Sequence, residues 1–484
     1  MKLEKIIEGL DDAKIIGNKD IEITSISNDS RKIEKGSMFV SIKGFDRDGN
    51  EYIKGAIEKG AIAIITEKDI DLNKYNIPEN VTIVLVENSR KALAIASCNF
   101  YENPSKKFTL IGITGTKGKT TTSYMLKSIL QKQGKKVGLI GTIATCINDE
   151  IIKESSRTTP ESIELQQTFA DMLKKGVDTV IMEVSSQGLK LDRVTGCDFD
   201  IGVFTNFSED HISPKEHPDM EDYFNSKLKL FDLCKTAFIN IDDEAGKRVF
   251  KSNKCQMKTY GIKENADLKA ENIEITNTYT KFNIKDEEYK AYIPGKFSVY
   301  NCLSAISVAK ELGVEYKNIK EALEKVTVPG RSELVPNKKD LTIMIDYAHS
   351  PESLENILKA VKSYTKGRLI SLFGCGGDRD TAKRPKMGEI SGNIADYTII
   401  TSDNPRTENP EEIVKQIEIG IQKTNGKYIC IVDRIEAIKH AIEIANKDDI
   451  IVLAGKGHEP YQEINGIKHP FDERIIVNEI IEKM

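Results

Sequence analysis

Gly112-Ile113-Thr114-Gly115-Thr116-Lys117-Gly118-Lys119-Thr120-Thr121 is the stretch that decides the fold. An apolar run at 108–113 enters it and a helical pattern at 122–133 leaves it, so the segment reads as strand, glycine-rich loop and helix. Glycines let backbone N–H groups turn inward around an anion, and the helix N-terminus adds positive potential. In such a loop Gly115 through Thr121 wrap the phosphates of a nucleoside triphosphate. Lys119 reaches the outer phosphates, and the Thr120 hydroxyl holds Mg²⁺. The strict spacing of this motif asks for glycine at 113, where Ile113 stands. The residues alone therefore allow a second reading, a glycine-rich turn with an incidental Lys-Thr. The strand–loop–helix context favours phosphate binding and is silent about what is phosphorylated.

Working outward, apolar runs at 137–140, 179–182, 201–204 and 237–241 alternate with helical patterns, as in a doubly wound, mostly parallel sheet. Before the loop, short β-rich runs at 21–26, 37–42, 61–66 and 82–86 surround helical stretches at 52–59 and 90–100, a small α/β domain. Val328-Pro329-Gly330-Arg331 interrupts the pattern as a hinge. Beyond it, candidate strands at 342–345, 369–373, 397–401, 428–432 and 450–454 outline a third α/β unit. The expected architecture is thus α/β in three domains: 1–104, a small N-terminal domain; 105–330, a central phosphate-loop ATPase-like parallel sheet; and 331–484, a Rossmann-like C-terminal domain.

The chain's 484 residues suit about three domains. With 39% hydrophobic and 30% charged residues there is ample material for several cores. Lys+Arg of 70 against Asp+Glu of 75 gives a net charge of −5, which argues against a general nucleic-acid binder. No apolar run approaches the roughly 20 residues of a membrane span. The start, Met1-Lys2-Leu3-Glu4-Lys5, is too charged for a signal segment. Eight cysteines without any C-x-x-C suggest neither disulfide framework nor zinc ribbon. The expectation is a reduced, cytoplasmic, monomeric protein that binds neither nucleic acid nor membrane.

Gly115-Thr116-Lys117-Gly118-Lys119-Thr120-Thr121 resembles the phosphate loop of the Mur ligases, ATP-dependent peptide ligases of peptidoglycan synthesis. Further motifs follow in that family's order. They are Asp29-Ser30-Arg31, Thr158-Thr159-Pro160, Met182-Glu183-Val184-Ser185-Ser186, Thr205-Asn206-Phe207-Ser208-Glu209-Asp210-His211, Pro329-Gly330-Arg331 and Asp346-Tyr347-Ala348-His349-Ser350-Pro351. Phe373-Gly374-Cys375-Gly376-Gly377-Asp378-Arg379-Asp380 and Ala454-Gly455-Lys456-Gly457-His458-Glu459 complete the set. Singly most are weak; together they span nearly the whole chain.

The resemblance implies a set of roles. Glu183, at a strand's carboxyl edge, and His211 hold a second Mg²⁺ beside the one on Thr120. Lys227 falls where the family carries a carbamylated lysine that ligates metal; Lys229 is the neighbouring alternative. Taken alone, Glu183 is an exposed strand-end carboxylate, His211 a hydrogen-bonded loop histidine and Lys227 a helical surface lysine. Asn301 lies against adenine, while Arg331, Asp346 and His349 reach the nucleotide from beyond the hinge, so that closure becomes a condition for chemistry. Ser30, Thr158, Thr159, Ser185 and Arg193 hold UDP-N-acetylmuramoyl-L-alanyl-D-glutamate. By itself Thr158-Thr159-Pro160 is a helix N-cap followed by proline. Related ligases often have His where this chain has Gln187, which therefore takes no catalytic role.

Asp403-Asn404-Pro405-Arg406 at a strand's end is, alone, a good β-turn. Against the family background it matches ligases that add meso-diaminopimelate, whose distal carboxylate the arginine grips and whose lysine-adding relatives lack it. Arg379 holds the other carboxyl end, and Asp403, Asn404, Gly455 and Glu459 orient the chain and its ammonium groups. No Ser-His-Asp or Cys-His arrangement suggests a protein nucleophile. The implied reaction is ATP- and Mg²⁺-dependent amide formation through an acyl phosphate, with Lys119, Lys227 and His211 in the catalytic group. A lysine-adding Mur ligase, another ATP-dependent amide ligase such as a folylpolyglutamate synthetase, and a non-catalytic nucleotide switch remain as alternatives.

Overall fold

The computed structural model describes residues 1–45, 47–213 and 216–484, which divide into two compact units: 1–268 with 304–315, and 269–303 with 316–484. Helix Lys296–Glu311 contributes residues to both. In the first unit, Ser25–Ser27, Ser37–Val40, Ala63–Glu67 and Thr82–Val86 form a parallel sheet that Lys14–Ile16 edges antiparallel. A larger sheet runs Gln256–Gly261, Cys234–Asn240, Phe199–Phe204, Thr109–Thr114, Thr179–Glu183, Val137–Ile140. These strands are mutually parallel, and an antiparallel hairpin, Ala144–Ile147 and Glu150–Glu154, edges them. Thr109–Thr114 is central: its apolar side chains are buried on both faces, as a strand covered by helices must be. The phosphate-loop helix, Lys119–Lys132, begins three residues earlier than its apolar periodicity suggests, because Lys119 to Thr121 already belong to its first turn.

In the second unit, Thr342–Asp346, Ile450–Ala454, Leu369–Phe373, Tyr397–Ile400 and Tyr428–Cys430 are parallel neighbours in that order, with Glu333–Leu334 antiparallel at one edge. All five parallel strands therefore end at one edge, where ligands bind in open α/β sheets. Apolar clusters cover both faces, Met344, Leu358 and Ile417 on one and Ile345, Ile438 and Val477 on the other. Two additions went unforeseen: an antiparallel sheet of Glu271–Ile275, Thr280–Ile284 and Glu287–Ala291, and a hairpin of Tyr461–Ile464 with Ile467–Pro470. Among the described residues no helix is long and apolar enough to cross a membrane.

Candidate functional site

The loop after Thr109–Thr114 is held open by its glycines. Gly115 has φ +146°, and a Cβ there would lie 1.9 Å from Thr205 Oγ1, so only glycine fits. Asn206 clamps the loop from a neighbouring strand end: its Oδ1 accepts from the Lys117 N–H (2.9 Å) and its Nδ2 donates to the Lys117 carbonyl (3.0 Å). Lys117 pairs with Asp210 at 2.9 Å. Lys119 Nζ folds back to donate to the carbonyls of Gly115 (2.8 Å) and Thr116 (3.0 Å).

Lys227 arrives from helix Met220–Leu228, and it is buried, not a surface lysine. Its Nζ donates to the same Gly115 carbonyl at 2.9 Å and lies 4.5 Å from the centre of the Tyr223 ring. Burial first, and the Lys119 charge second, push its ammonium well below the usual lysine range. Tyr223 ties this corner together, with its hydroxyl 3.1 Å from Thr116 Oγ1.

Glu183 ends its strand fully buried rather than exposed. Its Oε2 accepts from the hydroxyls of Thr120 and Thr142, both at 2.9 Å. These oxygens are hard donors of the kind Mg²⁺ prefers, and the site fits that ion. Among the described residues no three His, Cys, Asp or Glu side chains converge into a metal site, and Glu183 is the carboxylate bonded to Thr120. His211 has φ +59° and is exposed, with Nδ1 3.2 Å from Glu216 Oε2.

Thr159 is not a helix cap. The helix starts at Ser162 with Glu161 before it, and the Thr159 hydroxyl instead donates to the Glu183 carbonyl (3.0 Å) and meets Ser185 Oγ (3.1 Å). Thr158 Oγ1 lies 3.0 Å from Thr142 Oγ1. Arg193 donates to the Thr159 carbonyl (3.1 Å) and pairs with Glu161 (2.8 Å). These residues thus adjoin Glu183. Ser30 opens a short helical turn in the N-terminal sheet region, capped by Asp29. The Arg31 guanidinium on Asp29 holds that carboxyl down to about 2.

One arrangement had been missed: Ser186, His217 and Asp222 form a hydrogen-bonded Ser-His-Asp set. His217 Nδ1 donates to Asp222 (2.6 Å), leaving Nε2 to accept from the Ser186 hydroxyl (2.9 Å). Ser186 and His217 are both buried, so the set locks helix Ser186–Lys190 to helix Met220–Leu228 and offers no accessible nucleophile. His217 and Asp222 are close in sequence, but Ser186 lies 31 residues before His217, so spacing does not reveal the set.

In the second unit the remaining motifs converge at the carboxyl edge of the sheet. The Arg331 guanidinium sits 4.8 Å from the Tyr347 ring centre, between Asp346 and His349 in sequence, and His458 lies against the same ring at 5.0 Å. Asp346 accepts from the N–H groups of Ser332 (2.8 Å) and Ala348 (3.0 Å), and burial raises its carboxyl above the usual range. Asn301 is buried on its helix.

Asp403 and Asn404 are buried beside Gly455 and Glu459. Gly455, at φ +114°, must be glycine, because a Cβ would lie 2.5 Å from Asp403 Oδ2. That oxygen is buried and has no hydrogen-bond partner among the described residues. Lys456 is fully buried and donates to Asn404 Oδ1 at 3.0 Å. An ammonium only donates, so the amide oxygen must face Lys456 and the Asn404 Nδ2 must face Glu459, 2.8 Å away. Burial raises the Glu459 carboxyl above the usual range. Arg406, at φ +51°, donates from Nη1 to the Gly377 carbonyl (2.6 Å) and from Nε to Glu463 (3.2 Å). Arg379 is exposed on the loop that Arg384 anchors through Glu408 and the Gly376 carbonyl. Arg434, wholly buried with Glu473 (2.8 Å), donates to the carbonyls of Ser402 (3.2 Å) and Ala454 (2.9 Å), fixing the residues just before Asp403 and Gly455.

Three family models match the chain: the Mur ligase family catalytic domain over 22–101, the Mur ligase middle domain over 113–309, and the Mur ligase glutamate ligase domain over 330–457. The chain is 50% identical over 486 residues to the UDP-N-acetylmuramoyl-L-alanyl-D-glutamate–2,6-diaminopimelate ligase of Caldanaerobacter subterraneus subsp. tengcongensis, covering 99% of each. It is 48% identical over 494 residues to ligase 1 of that name from Clostridium acetobutylicum, covering 100% of each. A solved structure of a ligase with the same name matches at 30% identity with a TM-score of 0.73, covering 100% of this chain and 99% of that one.

Proposed function

The chain belongs to the Mur ligase family, and from that premise we propose that it joins meso-2,6-diaminopimelate to the D-glutamyl γ-carboxylate of UDP-N-acetylmuramoyl-L-alanyl-D-glutamate, using ATP. The γ-carboxylate attacks the γ-phosphorus of ATP, giving an acyl phosphate and ADP. The amine at the L-centre of diaminopimelate then attacks the acyl carbon, loses a proton, and phosphate leaves. Residues 115–121 cradle the phosphates, with Lys119 neutralising charge as it develops. Thr120, Glu183, His211 and a carbamylated Lys227 would hold Mg²⁺, which when bound offsets charge on the transferring phosphoryl group. Asn301, Arg331, Asp346 and His349 contact the nucleotide. Ser30, Thr158, Thr159, Ser185 and Arg193 hold the nucleotide-linked dipeptide. The three segments 1–104, 105–330 and 331–484 carry the nucleotide-sugar, ATP and amino acid roles, in a monomer working in the cytoplasm.

The observation that carries the amino acid assignment is the cluster at one sheet edge. A buried Asp403 with an unpartnered oxygen, Glu459 and a half-buried Arg406 offer acceptors for ammonium groups and a fork for a carboxylate. The depressed Lys227 supplies the neutral amine that CO₂ requires, which supports carbamylation there rather than at the exposed Lys229. The test is an amino acid panel with ATP and the nucleotide dipeptide, read by phosphate release. Turnover should require meso-diaminopimelate; equal or better turnover with L-lysine would refute the assignment.

A further inference from the structure

Glu463 lies four residues beyond the Gly455–Glu459 motif, on the hairpin strand Tyr461–Ile464, and no motif points to it. Yet it touches both ends of the Asn404–Arg406 turn. Its backbone N–H donates to Asn404 Oδ1 (2.9 Å), its carbonyl accepts from the Arg406 N–H (3.1 Å), and its carboxylate pairs with Arg406 Nε (3.2 Å). Arg406 is thus no isolated cation. With Nη1 on the Gly377 carbonyl and Nε on Glu463, the half-buried guanidinium is fixed beside a carboxylate of opposite charge that is itself half-buried. An ion pair of this kind is poorly matched to a lone carboxylate, which meets the carboxylate as well as the cation. It is well matched to a zwitterion, whose two charges can cross over the pair.

We propose that Glu463 receives the distal ammonium of the substrate, and that the Arg406–Glu463 pair reads the configuration of the distal carbon. The inference rests on the diaminopimelate reading above. The ammonium and carboxylate of one α-carbon lie roughly 3 Å apart, so a group bonded to the guanidinium that grips the carboxylate is within reach of the ammonium. In the meso compound both charges meet their partners. In the LL isomer, with the carboxylate kept on Arg406, hydrogen and ammonium exchange places about the distal carbon and the ammonium turns away from Glu463.

The test compares kcat/KM for meso-diaminopimelate, LL-diaminopimelate and 2-aminopimelate, which keeps the distal carboxylate and lacks its amine. The wild type, Glu463→Gln and Glu463→Ala are measured; such ratios do not depend on the fraction of each preparation that is folded. The wild type should prefer the meso isomer. In both variants that preference should narrow about tenfold, and the advantage of meso-diaminopimelate over 2-aminopimelate should shrink by a similar factor, the worth of one charge-assisted hydrogen bond. If Glu463 merely orients Arg406, meso-diaminopimelate and 2-aminopimelate lose activity together and their ratio stays put, which overturns the proposal. A wild type that uses both isomers equally overturns it too. A wild type inert with every diaminopimelate refutes the proposed function itself, and this inference with it.

Discussion

Replacing Lys227 with methionine keeps an unbranched apolar stem one atom shorter and removes the nitrogen. Bonds of 2.9 and 2.8 Å to one oxygen, the Gly115 carbonyl, keep the nitrogens of Lys227 and Lys119 within about 5.7 Å of each other. At an effective dielectric of about 20, two ammonium charges at that separation repel by about 3 kcal/mol. Burial is the larger cause, and with this repulsion it drives Lys227 toward the neutral amine. That amine can attack CO₂: a C–N bond forms, a proton leaves the nitrogen, and an anion replaces a latent cation next to Lys119. Phosphate release by Lys227→Met should therefore fall by about 10²–10³-fold, the scale of losing one preorganised charge stabiliser. Stripping CO₂ should slow the wild type, bicarbonate should restore it, and the variant should respond to neither. A stability measurement separates this from unfolding. The folded-state value is depressed while the unfolded lysine keeps its ordinary 10.5, so between the two the unfolded chain binds more protons. The group's contribution to stability then rises with pH. In CO₂-free buffer, unfolding midpoints followed from about pH 6 to 9 should shift in the wild type's favour relative to Lys227→Met. Near-normal turnover by the variant, or a gap that does not move with pH, would refute the reasoning.

Lys119→Ala should abolish phosphate release, by about 10²–10³-fold or more, with circular dichroism and unfolding midpoint little changed, because the lysine's work is done on the transferring group. Arg406→Ala should raise the Michaelis constant for meso-diaminopimelate about tenfold to a hundredfold, equivalent to roughly 1.5–3 kcal/mol, and narrow the gap to lysine; an unchanged specificity ratio would count against the carboxylate contact. Arg434→Met should destabilise the chain by about 3–5 kcal/mol in chemical denaturation, since it strands Glu473 as a buried unpaired charge, whereas removing both charges in Arg434→Met with Glu473→Met should recover most of that loss.

The buried parallel strands were legible because they must be apolar on both faces. Val137–Ile140, Leu369–Phe373 and Ile450–Ala454 stand where their apolar runs put them. The antiparallel pieces were not. Thr280–Ile284 and Glu287–Ala291 bury every second residue only, and Lys281, Asn283, Glu287 and Lys290 break up their hydrophobic signal. In the site, the phosphate loop and the Asp403–Arg406 turn could be read because each is one continuous stretch. Lys227 could be placed only by resemblance, since its partner carbonyl is 112 residues away and nothing local tells a buried lysine from an exposed one. His217, Lys456, Glu463 and Arg434 were unreadable for the same reason: each acts through a partner that the fold alone brings near.

What the two units lack is as informative as what they contain. Around the Gly115 loop three lysines converge: Lys117 pairs with Asp210, while Lys119 and Lys227 both donate to the Gly115 carbonyl. Three lysine side chains gathered at one glycine-rich loop suit an anion, and a phosphate chain or a carbamate each supplies one. At the sheet edge of the second unit the imbalance has the opposite sign. Asp403, Glu459 and Glu463 lie along this edge; Lys456 pairs with Glu459 and Arg406 with Glu463, and among the described residues Asp403 Oδ2 stays buried without a donor. A buried acceptor costs about 1–3 kcal/mol when unmet, and an ammonium group meets it. One unit is therefore shaped to receive negative charge and the other positive. A ligase that activates a carboxylate with ATP and then captures it with a diamine requires that pairing; a nucleotide switch would leave the acidic cluster at the second sheet's edge without a use.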